Sequence, residues 1–270
     1  MDPQLERLRG AIRALGSAVV CFSGGVDSAF VLAVAKEVLG DRCLGLTTVS
    51  PSLPESERQG AEALARALGA RHRTVDSREV EDPRYAANPV NRCYYCKSEL
   101  YTIAARVALE EGMACVCNGT NVDDLGDHRP GLDAAREAEV RSPLVECGFT
   151  KADVRRCAKL LGLPVWDKPA AACLSSRIPY GTHVTPSRLS MIDRAEGALR
   201  ALGLRQVRVR YHSDLARVEV GPEELERAFG LRRDIARACR EAGFAYATLD
   251  LEGYRMGSHN EVVRLKVLSA

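Results

Sequence analysis

The sequence predicts an α/β protein: a parallel sheet covered by helices, followed by a smaller α+β domain. Three observations carry that prediction. Short apolar runs alternate with helix-length stretches of 3.6-residue periodicity over the first two-thirds of the chain. A Ser-Gly-Gly turn joins the first apolar run to the first long apolar-periodic stretch. After about residue 185 the order becomes helix, strand pair, helix, strand. The domain expectation is therefore 1–184 for the parallel-sheet domain and 185–270 for the α+β domain.

In chain order, Leu5 to Leu15 reads as a short amphipathic helix and Ala18 to Phe22 as a strand. Ala29 to Leu39 is apolar-periodic helix, Cys43 to Ser50 strand, Pro54 to Leu68 an alanine-rich helix, and Arg71 to Val75 a short strand. Tyr95 to Glu111 is a helix ended by Gly112, and Met113 to Cys117 a strand ending at Asn118-Gly119-Thr120. Thr150 caps a helix reaching Leu161, stopped by Gly162 and Pro164. Pro186 to Leu202 is helical. Arg205 to Tyr211 and Ala216 to Val220 are strands around a turn at Ser213-Asp214. Pro222 to Ala242 holds one or two helices, and Ala245 to Leu249 is a last strand. Residues 169 to 185 read as a functional linker. The Asn, Pro, Ser and Gly content of 80–92 and 175–190 suggests mobile loops over a site.

The bulk numbers exclude several classes. A chain of 270 residues supports one or two domains, and 46% apolar with 27% charged residues is a globular balance. A net charge of +2 argues against a nucleic-acid partner. Met1 is followed by the charged stretch Asp2 to Arg13 rather than a secretory leader, and no apolar run reaches the about 18 residues of a membrane span. A cytoplasmic protein is expected, and ten cysteines then do not imply a disulfide framework. Cys21, Cys43, Cys115 and Cys117 lie in strand-like runs and read as small hydrophobic filler.

Ser23-Gly24-Gly25-Val26-Asp27-Ser28 is the strongest chemical signal. It follows a strand and opens a helix. Glycines let the backbone turn tightly and bring N–H groups to an anion, which the helix N-terminus favours. Ser23 and Ser28 add hydroxyl donors, and Asp27 is an oxygen ligand suited to magnesium beside phosphate. A Walker loop is excluded, because the Gly-Lys-Ser/Thr ending is missing. The string matches the SGGxDS loop of the PP-loop (ATP pyrophosphatase) superfamily, whose members split ATP between its α- and β-phosphates.

Four more stretches narrow the resemblance. They are Cys93-Tyr94-Tyr95-Cys96-Lys97; Asn118 to Asp124 running into Asp127-His128-Arg129-Pro130-Gly131; Cys173-Leu174-Ser175-Ser176-Arg177-Ile178-Pro179-Tyr180-Gly181; and Gly253-Tyr254-Arg255-Met256-Gly257-Ser258-His259-Asn260. Together they resemble LarE, the sulfur insertases of nickel-pincer nucleotide synthesis for lactate racemase. The resemblance implies a pyridinium mononucleotide substrate with two carboxylates, each adenylated by ATP and converted to a thiocarboxylate. It implies that Ser23, Gly24, Gly25, Asp27 and Ser28 bind the ATP phosphates and Mg2+, with Thr120 and Asp124 beside them. It assigns Arg208 and Arg210, alternate residues of one strand, to the substrate phosphate, and extends the substrate site to Ser176, Arg177, Glu196 and Glu219. Because the family self-associates, a homo-oligomer is expected.

Cys173 matches the family's key cysteine, which in the sacrificial type gives up its own sulfur. Cys93 and Cys96 add a C-x-x-C at a helix start. Three thiolates suit a 4Fe-4S cluster with one open iron for an extra sulfide, which then needs a sulfide source. Zinc, a redox dithiol, or two unrelated cysteines are the other readings. A tRNA-thiolating PP-loop enzyme, an amide-forming ligase resembling NAD synthetase, and a non-catalytic ATP-binding protein are the alternative functions.

Overall fold

A computed structural model describes residues 2–126, 130–169 and 171–255. Asp127, His128 and Arg129, and the stretch 256–260, which carry part of the resemblance, lie outside the described residues. The chain separates into two compact units. One holds the chain up to Tyr85 with Val90–Ala171, and the other holds Ala86–Pro89 with the chain from Ala172 on.

The first unit runs α1 (Pro3–Ala14), β1 (Ala18–Cys21), α2 (Val26–Leu39), β2 (Cys43–Val49), α3 (Glu55–Ala67), β3 (Arg71–Asp76), α4 (Pro83–Ala86), α5 (Arg92–Glu110), β4 (Cys115–Cys117), α6 (Pro130–Glu137), α7 (Pro143–Glu146) and α8 (Lys151–Leu160). Its sheet has the order β3-β2-β1-β4, and every pairing is parallel. Central strand β1 is buried along its length, as a parallel strand covered on both faces must be. Its residues alternate between two cores. Ala18 and Val20, with Phe22 just past the strand's end, join Leu8, Phe30, Val34 and Val154 on one face. Val19 and Cys21 join Leu44, Leu46, Ala104 and Val107 on the other. The strand order changes direction at β1, so its C-terminal end is where an open α/β sheet offers a ligand crevice.

Helix α8 begins where the sequence places it. The Thr150 hydroxyl accepts from the Asp153 N–H at 3.2 Å, and the Asp153 carboxylate accepts from the Thr150 N–H at 3.1 Å. This capping box, led by the Thr150 hydroxyl, holds the Asp153 carboxyl down at about 2. Helix α2 starts at Val26, three residues earlier than the apolar period suggests, because its first turn belongs to the glycine loop. Helices α6 and α7 escape the sequence reading; they are eight and four residues long, too short to show a period.

The second unit contains α9 (Pro186–Ala201), β5 (Val207–His212), β6 (Leu215–Val220), α10 (Leu225–Gly230), α11 (Arg232–Glu241) and β7 (Tyr246–Leu249). Strands β5 and β6 are antiparallel, and β7 runs parallel to β6 at the other edge.

Two expectations need correction. The division falls at 171/172 rather than 184/185, and residues 172–184 are no linker: Leu174 and Ile178 are buried in the second unit. Residues 80–92 and 175–190 are not loose either. Asn88, fully buried at φ +55°, donates from its amide to the carbonyls of Ile178 (3.2 Å), Pro179 (2.8 Å) and Thr182 (3.1 Å). Composition misleads here because a short polar side chain tolerates a left-handed backbone and satisfies loop carbonyls, so polar residues become internal fasteners. No described helix is long and apolar enough to cross a membrane.

Candidate active site

The Ser23–Ser28 loop leaves the end of β1 and enters α2 with Gly25 as N-cap. The Ser28 hydroxyl donates to the Gly25 carbonyl at 3.1 Å and accepts from the Ser23 N–H at 3.2 Å. The two serine hydroxyls are 3.1 Å apart, and the Ser23 hydroxyl accepts from the Gly25 N–H at 3.4 Å. The serines thus hold the turn as well as lining it. Gly24 sits at φ +72°, and a Cβ there would lie 3.0 Å from the Ala61 Cβ and 3.1 Å from its Cα. Only glycine combines that backbone with that approach.

A second glycine, which the sequence reading left without a role, shapes the same corner. A Cβ on Gly119 would sit 2.7 Å from the Ser28 backbone nitrogen and 2.9 Å from the Asp27 carbonyl carbon. The end of β4 therefore lies directly against the first turn of α2. The Asn118 carboxamide oxygen accepts from the Thr120 N–H at 3.0 Å, and the Asn121 N–H donates to the Asp124 carboxylate at 3.0 Å. Asn121 also donates to the Asp27 carboxylate at 3.2 Å. Asp124 is thus joined to the loop through Asn121, while Thr120 is held by Asn118 next to Gly119.

Two lysines far apart in sequence complete this end of the unit, and the sequence reading named neither. The Lys151 ammonium pairs with the Asp27 carboxylate. The Lys168 ammonium is 2.7 Å from a Glu57 carboxylate oxygen and 3.4 Å from the Gly24 carbonyl. Both pairs are half-open to solvent. Lys151, the first residue of α8, and a lysine four residues after Pro164 carry no motif of their own, so only proximity in space marks them. On α5, Cys93 is exposed and Cys96 half-buried, three residues apart on one helix face. Among the described residues no three His, Cys, Asp or Glu side chains gather as one metal site.

In the second unit, half-buried Cys173 is the N-cap of a 3-10 turn, Leu174–Arg177. Its carbonyl accepts from the Ser176 hydroxyl at 2.8 Å and from Arg177 Nη1 at 2.9 Å. Arg177, only 2% exposed, forks onto fully buried Glu196 through Nε (2.8 Å) and Nη2 (3.1 Å). Glu196 also accepts from Arg200 at 2.6 Å and from the Val209 N–H at 3.0 Å. Burial opposes its charge, yet Arg177 and Arg200 more than offset this and hold its carboxyl below the ordinary carboxylate value. Arg210 forks onto Glu219 at 3.0 and 2.8 Å and donates to the Ser176 carbonyl at 3.0 Å. Arg208 shares its face of β5 and lies over the Tyr254 ring, 5.3 Å from the centroid. Burial, with the neighbouring Arg177 and Arg200 charges, pushes the Arg208 guanidinium down from its ordinary value.

Residues 6–110 match the asparagine synthase family model. An uncharacterized protein of Synechocystis sp. is 46% identical over 97% of this chain and 99% of its own. The pyridinium-3,5-bisthiocarboxylic acid mononucleotide synthase of Lactiplantibacillus plantarum is 37% identical over 95% of this chain and 93% of its own. The chain belongs to the LarE family.

LarE proteins are ATP-dependent sulfur transferases of the PP-loop superfamily, and the parallel sheet with its glycine loop is that superfamily's domain. An NH(3)-dependent NAD(+) synthetase of Finegoldia magna is 40% identical but over only 58% of this chain. The resemblance to the Lactiplantibacillus plantarum synthase, by contrast, covers 95% of this chain and so extends over both units.

Proposed function

We propose that this protein adenylates the two carboxylates of a pyridinium-3,5-biscarboxylic acid mononucleotide and converts them to thiocarboxylates, for the nickel-pincer cofactor of lactate racemase. The observation that carries the reading is a phosphate loop and a Cys173 turn in one chain whose likeness to a bisthiocarboxylic acid mononucleotide synthase extends over both units.

The loop's role follows from its donors. The N–H groups around Gly24 and Gly25 and the start of α2 favour the polyphosphate, and Lys151 adds positive charge at Asp27. Asp27 fits a magnesium ion as a half-exposed carboxylate at the mouth of the loop, where the ion would neutralise phosphate charge. A substrate carboxylate oxygen attacks the α-phosphorus, and pyrophosphate leaves. The carboxylate oxygen, a poor leaving group on its own, thereby becomes the bridging oxygen of an acyl-adenylate and can later depart as part of AMP, a good one. In the second unit Arg208 is the arginine suited to the mononucleotide's phosphate, as a guanidinium on the same face of β5 as Arg210. Arg210, Arg177, Glu219 and Glu196 support the reading differently from expectation: as buried pairs they frame Ser176 and the Cys173 turn.

Cys173 is the residue that meets the acyl-adenylate on the sacrificial route. Its thiolate attacks the acyl carbon and AMP departs. Loss of the Cys173 α-proton then breaks the Cβ–S bond, releasing the thiocarboxylate and leaving dehydroalanine. The exposed and half-buried thiols of Cys93 and Cys96 on one face of α5 fit two ligands of a 4Fe-4S cluster, with Cys173 proposed as the third. Such a cluster would supply sulfide from an external sulfide source and spare Cys173.

The deciding experiment incubates anaerobically purified protein with ATP, Mg2+, the biscarboxylic mononucleotide, sulfide, ammonium and transfer RNA. Pyrophosphate release with the product mass of an oxygen-for-sulfur exchange is the expected result. Release with an amidated product, or with thiolated RNA only, overturns the reading. Iron content and protein mass after turnover then separate the sulfur sources: bound iron and unchanged protein for the cluster, loss of one sulfur for sacrifice.

A further inference from the structure

We infer that Lys168 is a ligand of the nucleotide's β- and γ-phosphates, held by Glu57 until the nucleotide arrives. The inference rests on the phosphate-loop reading and adds to it a residue, a counter-ion and a direction of exchange.

Three observations converge. The Lys168 ammonium lies 3.4 Å from the carbonyl of Gly24, the glycine around which the loop turns. Its carboxylate partner Glu57 stands on the first turn of α3, 2.7 Å away. Helix α3 is also the element whose Ala61 presses against Gly24, so that partner is fixed to the loop by backbone packing. The Lys168 backbone is fastened in turn, its carbonyl accepting from Arg155 at 3.3 Å. An anchored backbone with a four-carbon stem gives an ammonium that can swing while its root stays still.

Charge then sets the direction. A half-open lysine–carboxylate pair contributes little, because solvent screens it and ordering two side chains costs entropy. A polyphosphate presents several oxygens bearing more than one negative charge, and charge-assisted hydrogen bonds to it are stronger. Glu57 and Asp27 are both carboxylates at this corner, and each would repel the phosphates without its own lysine. When the bond from the α-phosphorus to its bridging oxygen breaks, the electron pair leaves on pyrophosphate. An ammonium already beside those oxygens stabilises that charge.

A plain structural salt bridge makes the opposite prediction for Glu57, and this separates the two accounts. The test measures the Kd of ATP and of inorganic pyrophosphate, each with Mg2+, by calorimetry on the full chain. Lys168→Met should weaken both about tenfold or more, about 1.4 kcal/mol per tenfold. Lys168→Arg should stay within a few-fold of wild type. Glu57→Gln should bind ATP as tightly as wild type or tighter, and should lose that gain in the Lys168→Met background. Lys159→Met, which removes a lysine resting on the Trp166 ring, should leave binding unchanged. Unaltered binding by folded Lys168→Met overturns the inference alone. Weakened binding by Glu57→Gln does so too, and serves if Lys168→Met fails to fold. A wild-type protein that binds neither ligand overturns the phosphate-loop reading and this inference together.

Discussion

The two units treat charge in opposite ways. Around the phosphate loop the ion pairs are half-open: Lys151 with Asp27, and Lys168 with Glu57. Around Cys173 they are sealed: Arg177 with Glu196 at 2% and 0% exposure, and Arg210 with Glu219 at 8% and 2%. An exposed pair gains little and is exchanged readily for a better anion. A buried pair, once formed, is costly to break from one side, because the remaining charge is stranded in a low dielectric. The first arrangement suits residues that must hand their charge to an arriving nucleotide. The second suits residues that must keep a turn in one shape.

The largest effect that would sharpen this contrast is on chemistry. Cys173→Ala should abolish thiocarboxylate formation while ATP still binds, since Cys173 contributes its carbonyl, not its thiol, to the observed hydrogen bonds. Retained sulfur transfer, read by product mass, would remove Cys173 from the mechanism. Next comes stability. Glu196→Ala strands two arginines and a backbone N–H and should cost about 3–5 kcal/mol in denaturant unfolding. Lys151→Met should cost about 1 kcal/mol or less yet weaken ATP binding. Equal costs for the two would erase the distinction between exchangeable and structural pairs.

Smaller effects test the backbone. Gly119→Ala puts a Cβ into the first turn of α2, so the loop must shift. Pyrophosphate release should fall about tenfold or more, with a stability loss of about 1–3 kcal/mol. Acidification should probe the second unit. Glu196 has a lowered folded value against an ordinary 4.5, so its contribution is present above 4.5 and lost as pH falls through the folded value. Stability of the wild type should therefore drop more steeply below pH 4.5 than that of Glu196→Gln. A parallel fall in both would remove Glu196 from acid sensitivity.

The smallest effect concerns the cysteines. Burial pushes the thiols of Cys21 and Cys43 up to about 12 and that of Cys239 to about 11. At pH 8 these should resist alkylation while exposed Cys93 reacts, which peptide mass mapping would show. Rapid labelling of Cys21 would mean that the sheet core opens.

Much of the first unit was legible because its signals are local. A strand, two glycines and a helix start form one contiguous string, and apolar runs of the right length report a covered parallel sheet. The cysteine filler reading holds for Cys21, Cys43 and Cys117, which are buried, while Cys115 is only half-buried. The segments 80–92 and 169–185 misled because polar composition does not distinguish a solvated loop from a tightly fastened one. Asn88 makes that difference with one carboxamide.

By itself the sequence determined the chemistry that a phosphate loop can supply, since that depends on residue type and short spacing, while the expectation for Cys173 came from the family resemblance. Only the tertiary structure decided how the charges are shared. It brought Lys151 to Asp27, Lys168 to Glu57 and Gly24, and Gly119 against Ser28. It also committed Arg177 and Arg210 to buried carboxylates and set Arg208 against the Tyr254 ring. The reason is range. Hydrogen bonds and ion pairs act over a few ångströms of space, and partners separated by a hundred residues meet only after the sheet and helices have formed.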